Sequence, residues 1–292
     1  TCYVISTERK LEGVVTVREL LLADPNAAVD TIMSTNVIHA HTLDDKEEIA
    51  KLFSRYDMLS LPVVDKEERL VGIITIDDAV DVMQEANTED FEMMAGIAHS
   101  DDTYLKMPVV SLAKNRIIWL LVLMFSAMIT GAMLEHYEAA IATLPLLVSF
   151  IPMLMDTGGN CGSQASTMII RGMALDEIEP SDFLRVWWKE IRVALLCGGT
   201  LSVVNFVRIY LQYNVLAAEP NPDCVRIAAV VSLTLIATVC IAKSLGCILP
   251  MLAKKLKLDP ALMAAPMITT VTDACSILVF FSLALTILRD RL

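Results

Sequence analysis

The chain has 292 residues, of which 55% are hydrophobic, and it carries a formal charge of -12. This acidic balance gives no support for nucleic-acid binding, and the seven cysteines include no C-x-x-C pair, so neither a disulfide framework nor a zinc site is predicted. The charge is unevenly distributed, because residues 1–113 carry 22 acidic and 9 basic side chains and residues 114–292 carry 13 and 14. An acidic soluble part therefore precedes a nearly neutral, apolar part.

The acidic part predicts a repeated unit of strands and helices. β-Rich runs at residues 3–6 and 14–17 precede a helical stretch that ends at Leu22. The second occurrence is predicted as a helix at 46–56, strands at 61–64 and 70–75, and a helix from Asp77. The chain starts at Thr1 without a basic region followed by a short apolar one, so we predict no signal peptide and interpret it as part of a longer protein.

A long acidic segment, mostly helical by its pattern, runs from Ile76 to Tyr104 and leads into the apolar part. Its carboxylates Asp78, Asp81 and Glu85 are three or four residues apart and share one helical face. Like charges at that spacing repel each other unless cations bind between them. The run is either a solvated face or a low-affinity cation sensor, and both interpretations stay open.

The apolar part contains five stretches near or above the roughly 18 to 20 residues that a helix needs to cross a bilayer. They are predicted near residues 112–134, 141–170, 193–212, 227–250 and 261–288. Two of the connections, at 171–192 and 251–260, are rich in Lys and Arg and are therefore predicted to be cytoplasmic. The acidic part then lies in the cytoplasm, and the chain is predicted to be an α-helical, multi-pass protein of the plasma membrane.

The second predicted span contains a polar run from Asp156 to Thr167 that no lipid-facing helix would tolerate. Gly158 and Gly162, followed by Ser166, form a small-x-x-x-small series, which is typical of close helix packing. Packing explains the glycines but not the accompanying Asp, Asn and Gln. The alternative is a pore lining, in which carbonyl groups and polar side chains face water and an ion. The predicted pore-lining residues of this span are Asp156, Gly158, Gly159, Asn160, Gly162 and Gln164.

Asp273 is the one charged residue in the sequence of the fifth predicted span. A carboxylate at that depth costs about 2.5 to 3.5 kcal/mol on insertion scales, and such residues mark ion pathways. Pro266, Thr269, Asp273 and Ser276 follow one another at spacings of three or four residues and share one helix face. Asp273 is either a buried acid neutralised by Lys243 or a hydroxyl, or an ion site. We predict that Asp273 is an ion ligand and that the other three residues of this face line the pore.

The remaining candidates for chemistry are few. His39, His41, His99 and His136 show no ligand spacing with one another, so no transition-metal site is predicted. Lys243 lies toward the cytoplasmic end of its span, where its amine can reach the headgroups, and no function is assigned to it. The sequence shows neither a nucleophile with a base nor a P-loop, so the chain is not predicted to be an enzyme.

The most specific motifs resemble those of the MgtE family of magnesium channels. They are the run Thr157-Gly-Gly-Asn-Cys-Gly-Ser-Gln-Ala-Ser-Thr167 and the stretch from Asp259-Pro-Ala to Asp273. The acidic part resembles a pair of CBS domains, most clearly in Leu61-Pro-Val-Val64 and Gly72-Ile-Ile-Thr-Ile-Asp-Asp78. The resemblance implies the end of a first α/β CBS domain at 1–22, a complete second CBS domain at 23–86, a connecting or plug helix at 87–111, and a five-helix transmembrane channel domain at 112–292.

For function, the resemblance implies a homodimer that conducts Mg²⁺ through a pore on its axis, lined by the second and fifth spans. Asp273 would match the carboxylate that holds a hydrated Mg²⁺ in this pore, with Asp259 of the same motif as a further metal candidate. Mg²⁺ binding to acidic residues of the cytosolic part would close the pore when internal Mg²⁺ is high. The residues that match those positions are Glu47, Asp57, Asp78, Asp81, Glu89 and Asp90. The family's N-terminal helical domain and the start of its first CBS domain would be absent.

Two alternatives concern the ligand. The transported ion could instead be Mn²⁺, Co²⁺ or Ca²⁺, which ion competition would distinguish. The CBS domain could sense a nucleotide such as ATP, with Thr75 and Asp78 holding its ribose, as some CBS domains do. The predicted partners are a second copy of the chain, membrane lipid and divalent cations.

Overall fold

The computed structural model describes residues 1–100, 103–217, 219, 221–263 and 265–290. Its contacts divide the chain into two compact units, residues 1–89 and residues 90–292.

The first unit combines two small sheets with short helices. Its strands are β1 Cys2–Ile5, β2 Leu11–Val15, β3 Ala40–His41, β4 Ser60–Val64 and β5 Leu70–Thr75. Its helices are α1 Val17–Leu22, α2 Val29–Ile32, α3 Lys46–Tyr56 and most of α4 Ile76–Met94. β1 and β2 pair antiparallel, while in the other sheet β3 runs parallel and β5 antiparallel to the central β4. The predicted order of helix, two strands and helix is confirmed for the second repeat.

Helix α3 shows how the local sequence sets these elements. Asp45 caps its N terminus, where the carboxylate accepts hydrogen bonds from the backbone N–H groups of Glu47 and Glu48. The apolar residues Ile49 and Phe53 recur at helical spacing, and both are buried in the core of the unit. One face of α3 therefore covers the sheet, and the acidic face with Glu47 stays exposed.

The second unit is built from long helices. They are α5 Val109–His136, α7 Ile151–Ala174, α8 Phe183–Tyr210, α9 Cys224–Lys255 and α10 Ala265–Ile287. A short helix α6 Glu138–Thr143, the 3₁₀ helices Pro145–Phe150, Pro180–Asp182 and Pro260–Met263, and a π-helical turn Leu211–Val215 connect them. Helix α7 packs against α9 and α10, α8 packs against α9, and α5 packs against α10.

Among the residues that the structure describes, four segments are long and apolar enough to cross a membrane, by length and composition: α5, Pro180–Val215 with α8, α9, and Pro266–Ile287 of α10. They correspond to the first, third, fourth and fifth predicted spans. Helix α7 does not reach this hydropathy because of its polar and glycine residues, although its 24 residues extend about 36 Å at about 1.5 Å each. The prediction of an α-helical membrane protein with an α/β domain before it is confirmed.

The predicted start of the second span, at residue 141 of the range 141–170, is wrong. Helix α6 ends at Thr143, Leu144 leaves the helical conformation with φ -131° and ψ 76°, and a 3₁₀ helix then begins at Pro145. Proline disfavours a helical conformation in the residue before it, so the helix cannot run through this point. The third helix also begins earlier than predicted, at Phe183, which shortens the connection from α7.

The predicted connecting helix at 87–111 is divided in the structure. Helix α4 ends at Met94, and the next helix starts at Val109. Gly96 has a positive φ of 70°, the left-handed conformation that commonly terminates helices and that glycine adopts without strain. Residues 101 and 102 of the predicted connector lie outside the described residues.

Candidate functional site

The glycines of α7 form a packing surface. A Cβ atom at Gly158 would lie 2.7 Å from Cγ2 of Thr238, and one at Gly162 would lie 2.5 Å from Cγ2 of Ile268. Side chains at these positions would push α9 and α10 away, so the interpretation of the series as close helix packing is confirmed. Gly158 and Gly162 are buried by these contacts within one copy, and their place in the lining of a pore stays a prediction.

The polar side chains of α7 lie on a different face. Asp156, Asn160 and Gln164 are all exposed, and their spacing of four residues aligns them along one side of the helix. We call these three residues, with the exposed Thr167, the polar stripe. Helix α7 is continuous from Ile151 to Ala174, so its carbonyl groups bond within the helix instead of facing a channel. This corrects the predicted lining by carbonyl groups.

Asp273 lies between two residues through which α10 packs against α7. Thr269, one turn before it, would contact a Cβ atom at Gly159, and Ser276, one turn after it, is buried beside Gly158. Asp273 itself is half-buried. Among the described residues, no group forms a hydrogen bond or an ion pair with its carboxylate. The lone charge of the fifth span is thus without a protein partner in one copy.

The neighbouring hydroxyl groups bond to their own helix. Thr269 Oγ1 donates to the carbonyl of Pro266 at 2.8 Å, and Ser276 Oγ donates to the carbonyl of Thr272 at 2.7 Å. Neither hydroxyl neutralises Asp273. Ser276 is also buried between helices, and its place in the lining of a pore stays a prediction, as for the two buried glycines.

Lys243 is paired with a different carboxylate. Its Nζ lies 3.3 Å from Oε2 of Glu190 on α8, and the two side chains are only 6% and 16% exposed. The prediction that Lys243 reaches toward the headgroups is therefore wrong, and its neutralisation of Asp273 is not observed. Nothing in the sequence pointed to Glu190, because it lies in the segment 171–192 that was predicted to be a connection.

Lys46 lies among the carboxylates of the first unit. Its Nζ is 2.8 Å from Oε2 of Glu85, and this contact, together with the nearby charges of Glu47 and Glu89, raises the pKa of the Lys46 ammonium group. The fold therefore brings Glu47 and Glu89 close to the ammonium group of Lys46. The predicted repulsion along α4 is partly offset within one copy, while Asp81 remains exposed.

Two predicted metal ligands also stabilise the starts of helices. The carboxylate of Asp78 accepts hydrogen bonds from the hydroxyl and the backbone N–H of Thr75, at 2.6 and 3.2 Å, and these bonds lower its pKa. Asp259 accepts a hydrogen bond from the backbone N–H of Ala261 at 2.7 Å. Asp57 ends α3 in the left-handed conformation, with φ 50°. All three carboxylates keep further lone pairs for a cation.

The described residues contain one group of three side chains that could hold a metal ion, formed by His39, His41 and Glu68. The prediction that the histidines show no ligand spacing is therefore wrong for the first two. None of the predicted acidic ligands, including Asp90 at the start of the second unit, belongs to such a group in the described part of one copy.

Known proteins with similar sequences agree with the membrane and CBS assignments. The family model MgtE, described as a divalent cation transporter, matches residues 151–283, and the CBS domain model matches residues 29–85. The magnesium transporter MgtE of Thermus thermophilus is 36% identical over 97% of this chain and 60% of its own length. That of Bacillus subtilis is 35% identical over the same shares.

The chain thus spans about 60% of the length of these curated relatives. A crystal structure of the cytosolic domain of the Mg²⁺ channel MgtE in complex with ATP overlaps 27% of this chain and 32% of that one, with 48% identity and a TM-score of 0.27. The relatives that align along nearly the whole chain are named as transporters and not as enzymes. Residues 151–283 therefore carry a domain of the MgtE family of divalent cation transporters, and a CBS domain at residues 29–85 precedes it.

Proposed function

We propose that two copies of this chain form a pore that conducts Mg²⁺ across the plasma membrane, with the first unit in the cytoplasm. The family description and the names of the relatives support Mg²⁺ as the ion. The observation that carries the proposal is the polar stripe of α7, which is exposed in a single copy. The cytoplasmic side follows from the Lys and Arg residues near the end of α7, the start of α8 and the end of α9.

A polar stripe at membrane depth cannot face lipid. The carboxylate of Asp156 and the amides of Asn160 and Gln164 would lose their hydration there without compensation. Helices α9 and α10 cover the glycine face of α7 and leave the stripe uncovered. A second copy related by a two-fold axis would place the same stripe opposite the first, and the space between them would hold water.

Asp273 supplies a second carboxylate to this pore, beside that of Asp156. The contact between Thr269 and Gly159 holds this part of α10 against the stripe-bearing helix, and the carboxylate has no partner among the described residues. Mg²⁺ gives up its water reluctantly and is bound through few carboxylates with several waters retained. Each copy would supply one Asp273 and the amide groups of Asn160 and Gln164, which can contact those waters. This arrangement suits a hydrated ion better than a bare one.

The direct test is Mg²⁺ flux into liposomes that contain the purified chain, followed with an internal Mg²⁺ indicator. We expect flux down the gradient without an energy source. Flux of Mn²⁺, Co²⁺ or Ca²⁺ without flux of Mg²⁺ would assign another cargo. The absence of any divalent flux from a folded, dimeric preparation would contradict conduction by this chain.

Cysteine cross-linking tests the two-copy pore. Asn160→Cys, in a background with the exposed Cys2 and Cys197 changed to Ser, should yield a covalent dimer with a bifunctional maleimide, because the stripe faces its symmetry mate. Val203→Cys, exposed on α8 away from the stripe, is the matched control and should stay monomeric. Gel electrophoresis reports the product. Equal yields at both positions in a preparation that conducts Mg²⁺ would exclude this arrangement.

We further propose that cytosolic Mg²⁺ closes the pore through the acidic residues of the first unit and of α4. The excess of acidic over basic side chains in residues 1–113 makes two such parts repel each other. Lys46 offsets the charge around Glu85, whereas Asp78 and Asp81 remain exposed. Mg²⁺ bound between carboxylates of the two copies would remove this repulsion and stabilise the closed state.

Neutralising these carboxylates should weaken closure without abolishing conduction. In the variant Asp78→Asn, Asp81→Asn, Glu89→Gln and Asp90→Asn, we expect half-closure at an internal Mg²⁺ concentration roughly 5- to 150-fold higher, the usual range of allosteric coupling. Asn at position 78 retains an oxygen that can accept the bonds from Thr75. Flux recorded at a series of internal Mg²⁺ concentrations gives the concentration of half-closure, which is the midpoint. The exposed Glu8→Gln and Glu67→Gln serve as controls, and an unshifted midpoint in the fourfold variant would show that the run is only a solvated face.

A nucleotide site is a second proposal for the same domain. Thr75 and Asp78 stand where β5 ends and α4 begins, and their mutual hydrogen bond orients both side chains at one helix terminus. A ribose hydroxyl could bond to the remaining lone pairs of Asp78. Calorimetry with ATP, in the presence and absence of Mg²⁺, tests this site. A heat of binding that appears with Mg²⁺ alone and does not change when ATP is added would show that this site binds only a cation.

A further inference from the structure

His39, His41 and Glu68 bring one ligand atom each to within 4.8 Å of one another, on the first unit. We call these three residues the His-His-Glu cluster. It shares no residue with the polar stripe, with Asp273 or with the acidic residues proposed for gating. Its chemistry also differs, because two of its three donors are imidazole nitrogens.

The two imidazoles come together at the start of β3, where His39 lies directly before the strand and His41 lies in it. Successive side chains of a strand point to opposite faces, so residues two apart share a face. Ala40, between the two histidines, is buried, and His41 is on the exposed side of β3. The rings of His39 and His41 consequently lie edge to face, with their centroids 5.3 Å apart.

The parallel pairing of β3 with β4 supplies the third ligand. Because β4 ends beside β3, the turn between β4 and β5 lies next to the histidines. In this turn, the carboxylate of Asp65 accepts hydrogen bonds from the backbone N–H groups of Glu67 and Arg69, at 3.0 and 2.9 Å. Glu68 has a φ of 62°, and its Oε2 is 3.6 Å from Nε2 of His39.

The hydrogen bonding of His39 leaves the correct nitrogen for a metal. Its Nδ1 lies 3.0 Å from the carbonyl oxygen of Val37, which requires the proton to be on Nδ1. In the neutral ring, Nε2 then has a free lone pair on the side of Glu68. A ring whose second nitrogen donates to a carbonyl is the usual arrangement of a metal-binding histidine. An ion pair between His39 and Glu68 would involve only one of the two neighbouring imidazoles, whereas a metal ion would use both.

We propose that the His-His-Glu cluster binds a transition-metal dication of the Zn²⁺ class, with water completing the coordination. Two imidazoles and one carboxylate with an open position form a donor set typical of Zn²⁺. Mg²⁺ prefers oxygen donors and would not compete for the imidazoles. Since the cluster is on the surface of the unit, with the side chains of His39 and Glu68 32% and 56% exposed, an ion can enter without unfolding it.

Calorimetry of the full chain in detergent tests the site, with ZnCl₂ as the titrant and excess MgCl₂ present to occupy carboxylate-only sites. We expect one Zn²⁺ site whose affinity falls by more than about tenfold in His41→Ala and in Glu68→Gln, because even the loss of a partner of a ligand costs about 10- to 100-fold. His136→Ala, at the end of α5, is the matched control and should bind as the parent does. Unchanged affinity in both cluster variants would overturn the proposal.

Co²⁺ provides an independent readout, because its visible spectrum reports the ligand type. CoCl₂ added to the parent chain should give absorption bands of a nitrogen- and oxygen-bound ion, and these should disappear in His41→Ala. Sulfur-to-metal charge-transfer bands would instead assign the ion to cysteine and contradict the site. Circular dichroism of each variant establishes that the domain remains folded, and the exposed position of Glu68 makes Glu68→Gln the variant least disturbing to the fold.

Discussion

Replacing Asp273 by Asn is expected to reduce Mg²⁺ flux by more than about tenfold while the chain remains folded. Asn has the same size and removes only the charge. Two charges about 4 Å apart attract by about 4 kcal/mol at an effective dielectric constant near 20. A loss of about 1.4 kcal/mol at the rate-limiting barrier already lowers a rate by about tenfold. Because two copies would each lose one carboxylate, the effect should be among the largest of any single substitution.

Liposome flux of the Asp273→Asn variant, beside the parent chain, measures this loss. Asp290→Asn is the matched control, since Asp290 is the exposed carboxylate just after the end of the same helix and should have no effect on flux. Size-exclusion chromatography should show the same assembly for all three proteins. Parental flux in a correctly assembled Asp273→Asn variant would remove Asp273 from the pore.

Lys243→Met is expected to destabilise the second unit by about 3 to 5 kcal/mol, the usual cost of leaving one buried charge without its partner. The substitution would leave the carboxylate of Glu190 largely buried and unpaired. The side chains of Glu190 and Lys243 are 16% and 6% exposed, and Oε2 of Glu190 lies 3.3 Å from Nζ of Lys243. Lys255→Met, at the exposed end of α9, is the matched control and should change stability little.

The double variant Lys243→Met with Glu190→Leu should recover most of that stability, because a buried ion pair can be replaced by apolar side chains at little cost. Thermal unfolding in detergent, followed by circular dichroism, measures all the variants. A single variant as stable as the parent would mean that the ion pair is absent from the folded protein in a bilayer-like environment. A double variant as unstable as the single one would point to lost packing instead of a lost charge pair.

Much of the architecture follows from local chemistry. The strands β4 and β5 and the helices α3 and α4 appear where alternation, spacing and caps predicted them, since these signals depend on residues only a few positions apart. The apolar helices were equally clear, because the length of an uncharged stretch is read directly from composition. Errors occurred at boundaries such as Pro145 and Gly96, where single residues interrupt longer patterns.

The roles of the polar residues were less accessible, because they depend on partners far away in the chain. Glycine spacing in α7 predicted close packing, but only the fold separates the buried Gly158 and Gly162 from the exposed Asn160 and Gln164. The sequence also suggested Lys243 as a partner for Asp273. These residues lie on different helices, so their spacing in the sequence could not show whether they are close in space.

Composition and short-range periodicity alone determined that this protein has an acidic α/β domain followed by membrane helices, with one carboxylate in the last of them. Only the tertiary structure decided which charges are paired. Lys243 is held by Glu190, Lys46 is held by Glu85, and Asp273 has no partner in the described part of the chain. Ion pairing acts over a few ångströms between residues that are tens of positions apart, so it is set by how helices and strands pack and not by their order in the sequence.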